Sequence, residues 1–205
     1  MHLLFLPGGG GAAEFWQTAG ALLAKQYRKS YLSWPGLGAQ AHAPEVAGFA
    51  DLLRLLEQEM SDPCVLIAQS MGCVPAMQLA LKYPEKISHL VLVATSGGID
   101  VARFDAHDWR PAYRENFPQG ADWITTPAPD LSTQLPQIAC PTLLLWGDVD
   151  PISPLAVGEY LASRIPLAEL QVIAGGQHNL AQSHAAQVAS LIAQHLTRKP
   201  QRHPR

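Results

Sequence analysis

The chain alternates between two hydrophobic patterns. Six short apolar runs have the composition of strands that are buried on both faces, as parallel strands are. These runs cover residues 3–6, 30–34, 64–69, 89–95, 142–146 and 170–174. Two further stretches carry apolar residues three and four positions apart, which predicts amphipathic helices. The apolar positions are Val46, Phe49, Leu53, Leu56 and Met60 in the first stretch and Val74, Met77 and Leu81 in the second. This alternation predicts an α/β fold, with a doubly wound, mainly parallel six-stranded sheet flanked by helices.

One stretch, residues 97–137, interrupts the alternation. It is rich in Pro, Asp and aromatic residues, is only weakly periodic and is too long for an ordinary connection, which favours a lid or binding insertion. We therefore predict a single domain over 1–197 with a small lid insertion at about 97–137. The basic, Pro-containing end, 198–205, is predicted to be a disordered tail.

Composition narrows the classes of partner. The chain has 205 residues, 48% of them hydrophobic, so it is long enough to bury a substantial single core. The formal net charge is -3 and basic residues cluster only at the tail, so the sequence predicts no basic surface that would bind nucleic acid. No apolar run approaches the roughly 18 residues of a membrane span, and the N-terminal run is too short for a signal peptide. We expect a cytoplasmic protein without nucleic-acid or membrane partners.

Cysteine and histidine spacing gives no indication of a metal. The three cysteines form no C-x-x-C pair, and the eight histidines show no spacing that groups them as ligands. The cysteines are interpreted as small core residues. We expect neither a metal nor an organic cofactor.

The segment "AQSMG", residues 68–72, places a serine between a buried strand and a helix. Small residues on both sides are typical of the sharp strand-to-helix turn called a nucleophile elbow. Such a turn lifts Ser70 above the sheet and presents the Met71 N–H at a helix N-terminus, where developing negative charge is favoured. A helix N-cap serine is the competing interpretation, and the five residues alone leave both open.

A nucleophilic serine needs a base and a group that orients the base. Two later strands end in turns that carry such groups. "WGDVDP" supplies Asp148 and Asp150, and "GGQHN" supplies His178, whereas His184 lies in the following helix. The chain order of serine, acid and histidine is that of the α/β hydrolases.

The chain resembles members of the α/β-hydrolase superfamily over most of its length. The resemblance is carried by "LLFLPGGGG", "PGLG", the serine turn, "HLVLVATSG", "WGDVDPISP" and "GGQHN". It implies an α/β-hydrolase fold lacking the first two strands, with strand 30–34 at an exposed edge that would suit a homodimer. It also implies Ser70 as nucleophile, Asp150 as acid and His178 as base, with Asp148 a polar turn residue.

The resemblance further implies an oxyanion hole made by the N–H groups of Gly9 and Met71. Glycines suit this role because their backbone amides can converge without side-chain interference, although a plain glycine-rich turn fits the same residues. Many relatives have His where this chain has Pro7, which makes the loop geometry an open question. An aromatic residue at the start of the next helix, such as Trp16, more often packs in the core than contacts substrate. The resemblance implies that this helix start borders the pocket, so Trp16 is predicted as a pocket residue.

Four aromatic residues of the insertion could supply an apolar wall of the pocket: Trp109, Tyr113, Phe117 and Trp123. Trp109 and Trp123 are predicted to contact the substrate, although aromatic residues there would equally suit packing of the lid onto the body. The insertion leaves room for only a small lid, which favours small or medium acyl groups. The predicted function is that of a serine carboxylesterase or thioesterase that cleaves a small-molecule ester or thioester through an acyl-serine. The same triad performing carbon–carbon cleavage or elimination, and a ligand sensor with little turnover, are the alternatives.

Overall fold

A computed structural model, which describes residues 1–61 and 63–198, contains one six-stranded sheet whose neighbouring strands are all parallel. The strands are β1 (His2–Leu6), β2 (Arg28–Tyr31), β3 (Cys64–Gln69), β4 (Ile87–Val93), β5 (Thr142–Gly147) and β6 (Ala168–Ile173). Their spatial order is β2-β1-β3-β4-β5-β6. The predicted parallel sheet and its edge strand β2 are therefore confirmed.

Helices cover both faces of the sheet. The α-helices of the described residues are α1 (Gln17–Leu22), α2 (Phe49–Glu59), α3 (Cys73–Lys82), α4 (Arg110–Asn116), α5 (Leu155–Arg164), α6 (Leu180–Ser183) and α7 (Ala185–His195), of which α4 lies in the insertion. Because side chains alternate along a strand, Leu4 and Leu6 of β1 belong to the core cluster that includes residues of α2, α3 and α5. Leu3 and Phe5 belong to the cluster on the other face, which includes residues of α1, α6 and α7. Across residues 1–61 and 63–198, no helix has the length and apolarity needed to cross a bilayer.

Two strands differ from their predicted form. The run at 30–34 was expected to be strand throughout, but β2 ends at Tyr31 because the chain then turns and Trp34 bonds to the loop after β1. The last strand, β6, is only partly buried because it forms the other edge of the sheet. The prediction of strands buried on both faces therefore holds for the inner strands and is wrong for the two edges.

The insertion at 97–137 is largely irregular and carries short helical segments. Besides α4, these are Ala102–Phe104, Asp122–Thr125 and Leu135–Gln137. The insertion is tied to the body by backbone bonds from Ala121 N–H to Gly36 O, 2.7 Å long, and from His107 N–H to Pro151 O, 2.8 Å long.

Arg198, the first residue of the predicted tail, contacts the body of the domain. Arg198 forms an ion pair with Glu169 of β6, and its carbonyl oxygen lies 2.9 Å from Nε2 of His89. Residues 199–205, the remainder of that prediction, lie outside the described residues.

A buried pair of histidines joins α7 to β4. His89 is 1% exposed and His195 is 3% exposed, and their ring centroids lie 5.2 Å apart. Burial, and then the neighbouring His89, lowers the pKa of His195 to about 4, while burial also lowers the pKa of His89. Both rings are therefore neutral in the folded protein at neutral pH.

This pair predicts that stability falls in mild acid. In the unfolded chain a histidine takes up a proton below about pH 6.5, whereas folded His195 does so only near pH 4, so the free energy of unfolding should decrease between these values. The contribution of His195 corresponds to about 3 kcal/mol. Urea unfolding of wild type and His195→Leu from pH 7 to pH 4 tests this. The variant should lose less stability than wild type, and equal losses would contradict the assignment.

Candidate active site

The sequence-predicted site residues converge at the carboxyl edge of the sheet, where ligands bind in open α/β folds. Ser70 directly follows β3, Asp150 lies three residues after the end of β5, and His178 lies in the loop after β6. The glycine-rich loop, residues 7–11, follows β1 at the same edge.

The turn at Ser70 is sharp and strained. Ser70 has φ of 51°, a left-handed conformation that is uncommon for a residue other than glycine. The helical turn Ser70–Gly72 leads directly into α3. A Cβ atom at Gly72 would lie 2.3 Å from the carbonyl oxygen of Pro7, so only glycine fits there, and Ala68 on the other side is fully buried. Close backbone contact therefore explains the small residues of "AQSMG".

Three polar side chains form a continuous chain of hydrogen bonds. Nε2 of His178 lies 2.9 Å from Oγ of Ser70, and Nδ1 of His178 lies 2.8 Å from Oδ2 of Asp150. A carboxylate can only accept, so the imidazole proton belongs on Nδ1, which leaves Nε2 free to accept the Ser70 hydroxyl proton. This geometry permits serine to attack an electrophile while histidine removes its proton.

Asp150 is held from two sides. Its side chain is fully buried, and Oδ1 accepts the N–H groups of Ile152 at 2.9 Å and Ser153 at 3.1 Å. The competing carboxylate, Asp148, is exposed and accepts the N–H of Gly175 at 2.7 Å. The structure therefore brings Asp150 to His178 and places Asp148 in the supporting turn.

The loops that carry the acid and the base touch each other through glycine. A Cβ atom at Gly147 would lie 1.9 Å from the carbonyl oxygen of Gly176. Any side chain at position 147 would separate the two loops, so the glycine that ends β5 sets the distance between Asp150 and His178.

The loop after β1 is held without the histidine that many relatives carry. Nε1 of Trp34 donates to the carbonyl of Pro7 at 2.7 Å, and the N–H of Trp34 donates to the carbonyl of Gly11 at 2.8 Å. Gly9 lies against Tyr113 of the insertion, whose hydroxyl accepts the N–H of Gly38 at 2.8 Å. Sequence reasoning considered Tyr113 only as a wall residue of the pocket and missed Trp34, because the contacts that hold this loop join distant parts of the chain.

A cavity of about 670 Å³ opens beside Ser70, Met71 and His178. Its apolar lining includes Phe49, Val74, Ile99, Val101, Trp109, Ile124 and Ile152. Most of the lining belongs to the insertion, as a binding insertion would require. The volume is that of a typical small-molecule site. Sequence reasoning missed Phe49 and Val74 as cavity residues because their helical spacing indicated only core packing.

The three tryptophans predicted for the pocket lie in different surroundings. Trp109 lines the cavity, with its ring edge-on to Tyr113. Trp16 is fully buried among Leu3 and Phe5, and its Nε1 donates to the carbonyl of Leu6 at 2.9 Å. The pocket role of Trp16 is therefore wrong, because its ring packs on the sheet face below α1.

Trp123 lies outside the cavity lining. Its ring packs against that of Phe49, a lining residue in α2, with ring centroids 5.5 Å apart. Trp123 therefore supports the cavity lining from the side of the insertion. The alternative of lid packing, left open by the sequence, describes Trp123 better than the wall role does.

The cavity carries an excess of carboxylates. Asp100, Asp108 and Asp130 line it together with Arg110, whose Nη1 lies 2.9 Å from Oδ1 of Asp108. The backbone N–H and then the guanidinium of Arg110 lower the pKa of Asp108, and the N–H of Ser132 lowers the pKa of Asp130. The only guanidinium in the lining is thus already paired within the described residues.

Cys73 does not compete with Ser70 as a nucleophile at this edge. Cys73 lies three residues after Ser70, but burial raises the pKa of its thiol to about 12, so it stays protonated at neutral pH. Among residues 1–61 and 63–198, no group of three or more His, Cys, Asp or Glu side chains is placed to hold a metal ion.

Comparison with known proteins agrees with this architecture. The sequence model of the α/β hydrolase fold family matches residues 1–126, more than half of the chain, so this protein belongs to that family. A curated relative, 2-hydroxy-6-oxo-6-phenylhexa-2,4-dienoate hydrolase from Burkholderia cepacia, is 25% identical over 87% of this chain and 80% of its own length.

Solved structures with the same fold have more than one activity in their names. A bromoperoxidase from Bacillus anthracis superposes with a TM-score of 0.78 at 19% identity, covering 96% of this chain and 92% of the other. A thermophilic esterase from Thermogutta terrifontis gives 0.70 at 23% identity, covering 96% and 89%. At this identity the likeness establishes the fold alone.

Proposed function

We propose that this protein is a serine hydrolase that cleaves carboxylic esters or thioesters of small to medium acyl groups. The observation that carries the proposal is the continuous hydrogen-bonded chain from Ser70 through His178 to the buried Asp150, at the wall of a cavity of about 670 Å³. A serine paired with a neutral imidazole that is itself oriented by a carboxylate is an activated nucleophile.

Acylation begins with attack of Ser70 Oγ on the substrate carbonyl carbon. His178 Nε2 takes the serine proton as the bond forms, and Asp150 stabilises the resulting imidazolium. The N–H groups of Gly9 and Met71 receive the oxyanion of the tetrahedral intermediate. The intermediate collapses when His178 protonates the leaving alcohol or thiol, which leaves an acyl group on Ser70.

Deacylation repeats the same steps with water as nucleophile. His178 takes a proton from water, which attacks the acyl-serine carbonyl. The second tetrahedral intermediate then collapses: the bond between the acyl carbon and Ser70 Oγ breaks, His178 gives its proton to Ser70 Oγ, and the carboxylic acid is released. Residues of the triad and the two amides are sufficient for both half-reactions, so the proposal needs no cofactor.

The cavity supports an uncharged acyl group. Its apolar side chains, such as Ile99 and Ile124, would remove acyl methylenes from water. Three aspartates in the lining, with Arg110 paired to Asp108, would repel a carboxylate-bearing substrate.

Carbon–carbon cleavage is the second candidate. It is favoured by the relative that is 25% identical over 87% of this chain and is named as a hydrolase of a phenylhexadienoate. That substrate carries a carboxylate, which the cavity's excess of aspartates disfavours. We therefore rank ester or thioester hydrolysis first.

Matched substrates distinguish the two candidates. We expect 4-nitrophenyl butyrate to be hydrolysed with a kcat/KM at least roughly 10-fold above that of mono-4-nitrophenyl glutarate, because the glutarate adds only a terminal carboxylate. The ratio of the two kcat/KM values should decrease at high salt, and it should also decrease in the Asp130→Asn variant. Faster turnover of 2-hydroxy-6-oxo-6-phenylhexa-2,4-dienoate than of either ester would instead establish the second candidate.

A further inference from the structure

A second set of hydrogen bonds, separate from those of the imidazole, connects the nucleophile to the acid. Thr95, two residues after β4, donates its hydroxyl to the carbonyl of Ser70 at 2.7 Å. The carbonyl of Thr95 accepts the hydroxyl of Ser153 at 2.8 Å, and the N–H of Ser153 donates to Oδ1 of Asp150 at 3.1 Å. Two hydroxyl side chains thus span the distance from the Ser70 backbone to the carboxylate.

These bonds lie in the interior. Thr95 is fully buried, Ser153 is 2% exposed, and Nε1 of Trp146 fixes the Ser153 carbonyl at 2.9 Å. The Thr95 hydroxyl also accepts the N–H of Gly97 at 3.1 Å, so its donor and its acceptor are both used. A buried hydroxyl cannot exchange its partner for water, so each bond restrains the groups that it joins.

A fourth bond connects the nucleophile to the base, and the bond between His178 and Asp150 then closes the circuit. Gln69, which precedes Ser70, is 4% exposed, and its Nε2 donates to the carbonyl of His178 at 3.1 Å. The backbone loops of the nucleophile, the acid and the base are therefore each tied to a neighbour by a buried side chain.

The hydrogen bond from the Thr95 hydroxyl to the Ser70 carbonyl also determines the direction of the next N–H group. The carbonyl of Ser70 and the N–H of Met71 belong to one planar trans peptide group, in which they point in opposite directions. Fixing the carbonyl oxygen on Thr95 therefore fixes the direction of the Met71 N–H. Ser70, with φ of 51°, and Ala94, with φ of 46°, are both strained, and such conformations persist only where their surroundings hold them. Thr95 follows Ala94 and binds Ser70, so it joins the two strained turns.

We propose that Thr95 is a positioning residue for acylation: its hydroxyl aims the Met71 N–H at the oxyanion, and Ser153 couples this peptide to Asp150. The inference rests on the proposed function, since it assigns a role within the same site. Thr95 lies outside the cavity lining, so it acts through Ser70 and Met71 without contacting substrate.

The test compares Thr95→Val, which keeps the shape and removes the hydroxyl, with Thr95→Ser, which keeps the hydroxyl. A misplacement of about 1 Å can cost about 100-fold in rate, so we expect Thr95→Val to lower kcat for 4-nitrophenyl butyrate about 10- to 100-fold. KM should stay within about twofold, because substrate binding is untouched. Thr95→Ser should restore most of the rate.

Thr142→Val is the matched control. Thr142 is also a fully buried threonine whose hydroxyl donates to a backbone carbonyl, that of Cys140 at 3.0 Å, but it lies at the start of β5. It should lose stability much as Thr95→Val does while keeping its kcat. A matching loss of kcat in both variants would show a general folding effect and overturn the inference.

Ser153→Ala provides an independent variant that breaks the next bond of the chain. Its kcat should also fall, and a wild-type kcat in folded Thr95→Val or in Ser153→Ala would overturn the inference while leaving the proposed function intact. Failure of the wild-type protein to hydrolyse any ester or to react with a fluorophosphonate would overturn the proposed function, and the inference with it.

Discussion

Ser70→Ala is expected to abolish ester hydrolysis by this protein. The substitution removes the oxygen that lies 2.9 Å from Nε2 of His178 and leaves nothing to form the acyl intermediate. Loss of a triad serine or histidine lowers kcat by about 10⁴- to 10⁶-fold in comparable enzymes, and we expect the same for Ser70→Ala and His178→Ala. Steady-state hydrolysis of 4-nitrophenyl butyrate measures this directly.

The double variant of Ser70→Ala and His178→Ala tests whether the two residues act together. Because Ser70 and His178 act as one unit, replacing both should cost about as much as replacing either. Ser163→Ala, which removes an exposed serine hydroxyl on α5, is the control and should leave kcat unchanged. Retention of wild-type activity by Ser70→Ala would show that the turn after β3 is structural only.

Asp150→Asn is expected to give the second-largest loss, about 10⁴-fold in kcat, because an amide in this position favours the wrong tautomer of the histidine. Nδ1 of His178 lies 2.8 Å from Oδ2 of Asp150, so the carboxylate is what keeps the proton on Nδ1. The pair is also shielded from water on the side of the fully buried Asp150. Steady-state kinetics on the purified, folded variant provides the measurement.

Asp148→Asn is the matched comparison, because the same change is made two residues earlier in the same turn. Asp148 is exposed and contacts Gly175, so we expect its variant to keep activity within about 10-fold of wild type. A larger loss in Asp148→Asn than in Asp150→Asn would reverse the assignment of the acid.

The parts of the fold that the sequence predicted are those with strong periodicity. The inner strands β3 and β5 each contain a run of consecutive apolar residues and could be located almost to the residue. The edge strand β2 could not, because its end is decided by Trp34 turning towards the loop after β1. Such a contact joins residues far apart in sequence, so no local pattern records it.

In the candidate site, too, the sequence predicted the residues that lie in a recognisable local pattern and missed those that depend on contacts between distant residues. Ser70, Asp150 and His178 each follow a strand within a recognisable turn, so their order in the chain was enough to bring them together in the prediction. Thr95 and Ser153 lie within "HLVLVATSG" and "WGDVDPISP", but no local pattern assigned them a role, because a threonine at a strand end and a serine before a helix are common. Their bonds to Ser70 and Asp150 become visible only when the carboxyl ends of β4 and β5 are placed side by side.

Trp16 illustrates the limit of an inference drawn from family resemblance. The start of the first helix was expected to border the pocket, and an aromatic residue there suited that expectation. Because the side-chain direction depends on the helix's rotation, Trp16 instead packs on Phe5 with centroids 5.7 Å apart and satisfies its N–H on Leu6. Composition and position could not determine that rotation.

The intact mass of the protein after exposure to a fluorophosphonate tests the central claim, an activated Ser70, most directly. We expect a single adduct on the wild-type protein and none on Ser70→Ala or His178→Ala, because phosphonylation requires both the serine oxygen and the base that removes its proton. No adduct on folded wild-type protein would mean that the triad does not activate its serine, and would favour a ligand sensor with little turnover.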